Sequence, residues 1–427
     1  MKTLKVCLTA AAVSSALLAS SAMAVEADFN GYMRAGTGVS THSGANESYE
    51  KNKVGRLGNE NDVYGEIGLN TKPIKAGETA EFTVNSMLAY GSDGSNGWES
   101  ARDDDDGADV ALVQFNVQAK GLFDFDPDAV LWAGKRYYQR QDIHITDFYY
   151  WNTNGGAGGG LEHLSVGPGK LSVAFIRDDS LGNDLGVDLD GDGQNDNQNI
   201  NINNFDVRYA DLGLWKDASL ELGINYYMVN ETDEQEDLNL DTKDSVMATA
   251  VITQGNFFGG FNKTVFQFGT NGAASAMAGL GSGSWIPAVS DGDTGFRVIN
   301  FGVINMGDSW NLGHQVMYAQ SSYDNSNKDD HTFANVVVRP IYNWSEIMKT
   351  EFEAGYFTEE NQWGTKGADN EGAKFTVAQA WAAGAGFWAR PEIRVYASYV
   401  DDFKNDNRFG NDESSEMSFG IQAEAWW

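Results

Sequence analysis

The sequence predicts an all-β fold, an eighteen-stranded antiparallel transmembrane β-barrel, and three observations predict it. Runs of about ten residues with alternating apolar and polar side chains recur from near residue 29 to the end. The connections between these runs alternate long and short, and the long ones are rich in Asp, Asn, Gly and Ser. The last run, Phe419-Gly420-Ile421-Gln422-Ala423-Glu424-Ala425-Trp426-Trp427, carries Phe, Ile, Ala, Ala and Trp on one parity and Gly, Gln, Glu and Trp on the other. One face of such a strand suits lipid and the other suits water. A large soluble sandwich or propeller is the alternative that composition alone leaves open. It offers no reason for an amphipathic last strand with a terminal aromatic.

The chain begins with Lys2 and Lys5, an apolar stretch from Leu8 to Leu18, and the small-x-small site Ala22-Met23-Ala24. This is the pattern of a secretory signal peptide over residues 1–24, with the barrel domain spanning 25–427. The apolar stretch is too short for a membrane-spanning helix, and the rest of the chain has no apolar run of 18 residues. The single cysteine, Cys7, lies in the signal, so the remaining chain has no thiol chemistry or disulfides. A net charge of −32 excludes binding of nucleic acid through its phosphates. Aromatic residues make up 12% of the chain, with 49 glycines and only 6 prolines, as expected where many short strands alternate lipid-facing and lumen-facing side chains.

The eighteen runs lie near 29–39, 62–72, 79–90, 110–119, 129–139, 160–167, 169–178, 204–212, 218–229, 244–255, 261–269, 295–306, 311–320, 331–341, 346–357, 372–383, 389–400 and 415–427. Nine long connections separate eight short ones, which puts both termini on the short-turn, periplasmic side and the long loops outside.

Parity then sorts the wall. In the first strand Phe29, Gly31, Met33 and Ala35 face out, while Asn30, Tyr32 and Arg34 face the lumen. In the second, Val63, Gly65, Ile67 and Leu69 face out, with Asp62, Tyr64 and Glu66 inside. In the seventeenth, Pro391, Ile393, Val395 and Ala397 face out, with Trp388, Arg390, Glu392, Arg394 and Tyr396 inside. Strands 1, 2, 17 and 18 become neighbours on closure. Their inward sets then interleave Tyr32, Tyr64, Trp388 and Trp426 with Arg34, Glu66, Arg390 and Glu424. Rings in a water-filled channel are costly unless something partly apolar lies on them. Sugars have that double character, with C–H faces that stack on rings and hydroxyls that need charged or amide partners. Interior packing or an interface girdle is the other reading, although a barrel this wide is not filled by wall side chains.

Several blocks resemble the maltoporin family: Asp28-Phe29-Asn30-Gly31-Tyr32-Met33-Arg34, Arg56-Leu57-Gly58-Asn59-Glu60, Trp132 to Arg140, Asp147-Phe148-Tyr149-Tyr150-Trp151, Gly260-Phe261-Asn262-Lys263, Trp388-Ala389-Arg390-Pro391 with Ile393-Arg394-Val395, and Trp426-Trp427. The resemblance implies a homotrimer of eighteen-stranded barrels in the outer membrane, each with an inward-folded third loop, passing maltose and linear maltodextrins. It implies an aromatic slide from Trp98, lent by a neighbouring subunit, through Tyr64, Tyr32, Trp426 and Trp388 to Phe261. It further implies a polar track of Arg34, Arg56, Glu66, Arg140, Asp142 and Asp147, with Tyr149 facing the slide at the narrowest point. The chain departs from the family in lacking a cysteine pair near the first loop. It also has Val113 where a further constriction arginine is expected, which bears on the glycan range. A sucrose or other oligosaccharide porin, or a nonspecific pore, stays open as the alternative.

Two further signals stand in the sequence. Asp188, Asp190 and Asp192, followed by Gly193 and by Asp196 at position nine, have the spacing of half a calcium loop, without the bidentate Glu at twelve. Weak Ca²⁺ binding by this external loop stands beside a plain solvated acidic loop, and no other cofactor is expected. The five histidines have no metal-ligand spacing and no serine nucleophile motif occurs, so an enzyme is not expected.

Overall fold

The computed structural model describes residues 26–42, 46–97, 108–153, 156–177, 183–184, 197–198, 200–237, 242–281 and 291–427. Within these, eighteen strands follow in order: β1 Ala27–Ser40, β2 Val63–Thr71, β3 Ala80–Ser92, β4 Asp109–Lys120, β5 Val130–Lys135, β6 Ala157–Val166, β7 Gly169–Arg177, β8 Asn201–Gly213, β9 Ala218–Asn230, β10 Ser245–Phe257, β11 Gly260–Thr270, β12 Thr294–Met306, β13 Trp310–Ser322, β14 His331–Asn343, β15 Met348–Glu360, β16 Asn370–Ala382, β17 Glu392–Asp402 and β18 Ser415–Trp426. Each pairs antiparallel with the next. β18 returns to β1, with Trp426 opposite Tyr32 and Glu424 opposite Arg34. Closure removes the sheet edges that would otherwise present unpaired backbone groups to lipid. A further short strand, Ile74–Ala76, pairs with the start of β3.

The period of two separates the faces of the wall. Phe29, Ile67, Val110, Phe175, Ile224, Val316, Phe375, Ile393 and Phe419 are exposed on the outside. Their alternates, such as Asn225, Gln267, Arg297, Gln315, Arg339, Glu353, Arg394 and Gln422, are buried. Buried polar residues on this scale need partners, and three chain segments folded into the interior supply them.

The first segment is 46–62, which runs inward across β14 to β18 with one helical turn at Lys51–Val54. Leu57 donates its N–H to Glu353 Oε1 at 2.9 Å, and its carbonyl accepts from Lys374 Nζ at 2.8 Å. Asn335 Nδ2 donates to the Lys53 carbonyl at 2.9 Å. The second is the hairpin Tyr138–Ile143 with Phe148–Thr153. Trp151 of this hairpin lies against β9 at Gly223, where a Cβ would come within 2.3 Å of the indole. The third is the short helix Gly272–Ala278, wholly buried in the connection after β11. Arg297 on β12 ties the second and third together, donating to the carbonyls of Tyr150 at 2.6 Å, Ala276 at 3.3 Å and Gly281 at 2.8 Å.

Two expectations need correction. The run 129–139 is not one strand: β5 stops at Lys135, and Tyr138 already belongs to the hairpin. The long connections do not all stay outside, because 46–62 and the helix Gly272–Ala278 also turn in. Hydrophobic period alone cannot see this, since the inward segments are held by polar contacts from residues distant in sequence. Val113 lies at a bulge: Gln114 pairs with Met87 and Leu112 with Leu88, so Val113 has no partner across the ladder. The extra residue lets Leu112 and Phe115 both face out, and turns Val113 inward beside Gln114.

Candidate functional site

Rings from both ends of the chain meet on the inner wall where β1 closes on β18. The Tyr32 and Tyr64 centroids are 6.1 Å apart on adjacent strands. Trp426 stands opposite Tyr32 in register. Trp388 lies in the short turn before β17, exposed, with Phe387 at 4.7 Å. Between the two indoles sits His144, at the tip of the hairpin, 6.0 Å from Trp426 and 5.2 Å from Trp388. Phe261, at the start of β11, packs edge-on to Phe301 at 6.3 Å. A hollow of about 230 Å³ lined by Asp142, His144, Phe261, Lys263 and Trp388 joins these positions. It adjoins one of about 440 Å³ that shares Phe261, Phe387 and Trp388 and includes Asn305, Asn311 and Asn343 from the short-turn side.

A band of charge faces the rings. Arg34 holds Asp62 by a fork, Nε to Oδ1 at 2.9 Å and Nη2 to Oδ2 at 2.6 Å, and also lies 3.4 Å from Glu60 and from Asp147. Lys51 reaches Asp147 at 2.7 Å. Arg56 is buried, donating to Glu60 and, at 2.7 Å, to the Tyr32 hydroxyl, and pairing with Glu424 at 3.1 Å. Tyr32 in turn donates to Glu424 at 3.0 Å. Glu66 accepts from the hydroxyls of Tyr64 at 2.8 Å and Tyr137 at 3.1 Å. Arg140 lies over the rings of Tyr137 at 3.4 Å and Tyr149 at 4.8 Å, so the guanidinium is stacked between two phenols.

Behind this band the wall continues as alternating charge. Glu424 contacts Arg390 at 2.7 Å and Arg394 at 3.5 Å, and Glu392 contacts Arg394 at 3.1 Å and Lys349 at 2.5 Å. Glu353 contacts Arg339 at 2.5 Å and Lys374 at 2.7 Å. A buried charge without its partner is severely destabilising, so this ladder fixes ring and arginine positions more than it adds stability. Arg390 lies over the Trp426 ring at 4.8 Å and Arg34 over Tyr64 at 5.0 Å, which orients two of the rings.

Burial of Glu60 pushes its carboxyl up, but Arg56, Arg34 and Lys51 together outweigh that and hold it at about 2. Burial, and next the charge of Arg56, push His144 well below the usual histidine range, so its imidazole is neutral. Its Nδ1 faces Arg56 at 3.4 Å, and its Nε2 is buried with no hydrogen-bond partner among the described residues.

The structure thus brings together Tyr32, Tyr64, Trp388, Trp426, Arg34, Arg56, Glu66 and Asp147. Arg140, Asp142 and Tyr149 come in on the hairpin, and Phe261 lies at its far end. Trp98 and the acidic loop residues Asp188, Asp190, Asp192 and Asp196 lie outside the described residues. Among the described residues no three His, Cys, Asp or Glu side chains could hold a metal ion. His144, Tyr137 and Lys51 went unassigned in the sequence. His144 carries no metal-ligand spacing, but its place between the matched blocks Trp132–Arg140 and Asp147–Trp151 is a usable signal.

The LamB porin family model matches residues 27–427. The chain is 51% identical over 426 residues to a maltoporin of Photobacterium profundum, covering 96% of this chain and 95% of that one. It is 47% identical over 444 residues to a maltoporin of Vibrio cholerae, covering 99% and 100%. A maltoporin of Hahella chejuensis is 40% identical over 424 residues, covering 99% and 98%.

Proposed function

The chain belongs to the LamB porin family, and on that premise we propose that it carries maltose and maltodextrins across the outer membrane by facilitated diffusion. It is a channel, not an enzyme, and its place is the outer membrane of a Gram-negative cell as a multi-pass β-barrel. Residues 1–24 serve as the export signal and the folded unit is a homotrimer.

The observation that carries this reading is the pairing of the two rows. Tyr64, Tyr32, Trp426, Trp388 and Phe261 offer flat faces along the inner wall, and Arg34, Arg56, Glu66, Arg140, Asp142, Asp147 and Tyr149 offer donors and acceptors across from them. A glucan chain presents C–H faces and hydroxyl edges in alternation, so it slides along rings while exchanging one set of hydrogen bonds for the next. Charges already paired with one another give up little when a hydroxyl arrives and leaves, which keeps binding shallow and passage fast. Trp98 extends the slide outward from a neighbouring subunit. Asp188, Asp190, Asp192 and Asp196 bind Ca²⁺ weakly outside, and calorimetry without heat at millimolar Ca²⁺ would remove that point.

The test is block of ion current through single oligomers in a planar bilayer. Maltohexaose interrupts the current of the wild type, and Tyr32→Ala or Trp426→Ala weakens block by about 1–3 kcal/mol each, the scale of flat-ring stacking on an aromatic. Current blocked by sucrose or another glycan but not by maltohexaose assigns a different oligosaccharide, and no block by any glycan makes the pore nonspecific. Unchanged block in both variants removes the slide.

A further inference from the structure

A third hollow lies nearer the long connections. Its volume is about 350 Å³, and it is lined by Glu50, Lys51, Lys53, Leu280, Glu359 and Trp363, among others. Ligand pockets span roughly 300–1,000 Å³, so it can take a small polar molecule or one end of a longer one. Three segments build it: the helical turn of the first connection, the end of the short inward helix, and the connection after β15.

Trp363 is the unexplained residue here. The residue is 43% exposed and lines this hollow. Its backbone is left-handed, with φ 56° and ψ 23°, a conformation that a bulky residue rarely adopts. Such backbones persist where the surroundings hold them, and they gather at ligand sites. Here the Trp363 N–H faces His331 Nδ1 at 3.4 Å. Gly279, which ends the inward helix, makes room for the indole: a Cβ there would stand 2.3 Å from the ring.

Around this ring stand fixed polar groups. Lys53 Nζ lies 3.0 Å from Glu50 and 2.8 Å from Glu359, and Gln362 Nε2 donates to Glu359 at 3.4 Å. The combination of a half-exposed ring and paired charges repeats the chemistry of the slide. Lys51 connects the two places, since it lines this hollow and also reaches Asp147 and Glu60 at 2.7 and 3.4 Å. A chain seated on Trp363 therefore has its next residues beside the outer end of the polar track.

We infer that this hollow is a glycan-binding subsite in the vestibule, where Trp363 captures the end of a linear glucan before it reaches the constriction. The inference rests on the sugar-pore reading above. A capture site outside the constriction speeds association from its own side and leaves association from the other side alone, because a chain arriving there meets the slide first.

The experiment adds maltohexaose to one side of the bilayer at a time. With Trp363→Ala the rate of block from the long-connection side falls about fivefold, the low end of the ring-stacking scale. The rate from the short-turn side and the conductance without sugar stay as in the wild type. Trp363→Leu keeps the apolar bulk that packs on Gly279 and slows block as Ala does, while Trp363→Phe restores most of the rate. If Ala does not assemble, the Leu and Phe pair carries the test. Equal rates for Leu and wild type, or an equal fall from both sides, overturns the subsite while leaving the pore assignment standing. A wild type that maltohexaose does not block from either side overturns the pore assignment and the subsite with it.

Discussion

Glu60 lies on the inward first connection with Arg56, Arg34 and Lys51 around its carboxylate. Its folded value of about 2 is below the ordinary carboxylate value near 4.5. A depressed carboxylate contributes stability that is fully present above the ordinary value and is lost as pH falls through the folded one. Maltohexaose block, and protection of the first connection from added protease, should therefore be constant from pH 8 to about 5. Both should fade between about pH 4.5 and 2. Glu60→Gln should remove that step and cost on the order of 3–5 kcal/mol, because Arg56 then stays buried with less compensation. The temperature at which the folded band is lost on a gel measures it. Single residues such as Tyr32, Tyr64 and Trp426 were readable from parity, because a strand side chain has only two directions. His144 was not, because a residue at a hairpin tip has no period to betray its direction.

The inward connections stand on few bonds, which makes them testable as elements. Asn59 anchors the first: its Nδ2 donates to the carbonyls of Tyr49 at 2.7 Å and Gly55 at 2.9 Å, and its Oδ1 accepts the Tyr49 N–H at 2.7 Å. Asn59→Ala leaves buried backbone groups unpaired, at about 1–3 kcal/mol. The expected result is higher conductance without sugar and a weaker maltohexaose block, since Arg56 loses its support. Arg297 plays the same part for the hairpin and the short helix. Arg297→Met should widen the pore likewise, and unchanged conductance would show that packing of Trp151 and Tyr150 suffices. The eighteen strands were legible within two or three residues almost everywhere, because a wall with lipid on one side and water on the other imposes its period. The exception is 129–139, where alternation continues into the hairpin although the chain has left the wall at Lys135.

At the scale of the molecule, the outward residues form an apolar belt that none of the other described residues covers. A closed barrel of this kind resists detergent until heated. If the subunits associate as threes, an unheated sample should run near three times the mass of the exported single chain on a denaturing gel and collapse to that chain on boiling. A single-chain band before heating, with sugar block intact, would make one barrel the working unit and leave Trp98 without a neighbour to serve.

The sequence alone determined the number of strands, the two faces of each strand and the inward parity of Tyr32, Tyr64 and Trp426. All of these follow from local alternation under one constraint, that lipid and water meet the two faces of the same strand. Only the tertiary structure decided which connections fold into the barrel, that His144 bridges Trp426 and Trp388, and that Arg56 lies buried beneath Tyr32. Those outcomes depend on pairings such as Arg56 with Glu424 and Leu57 with Lys374, between residues more than 300 positions apart, and no local period records them.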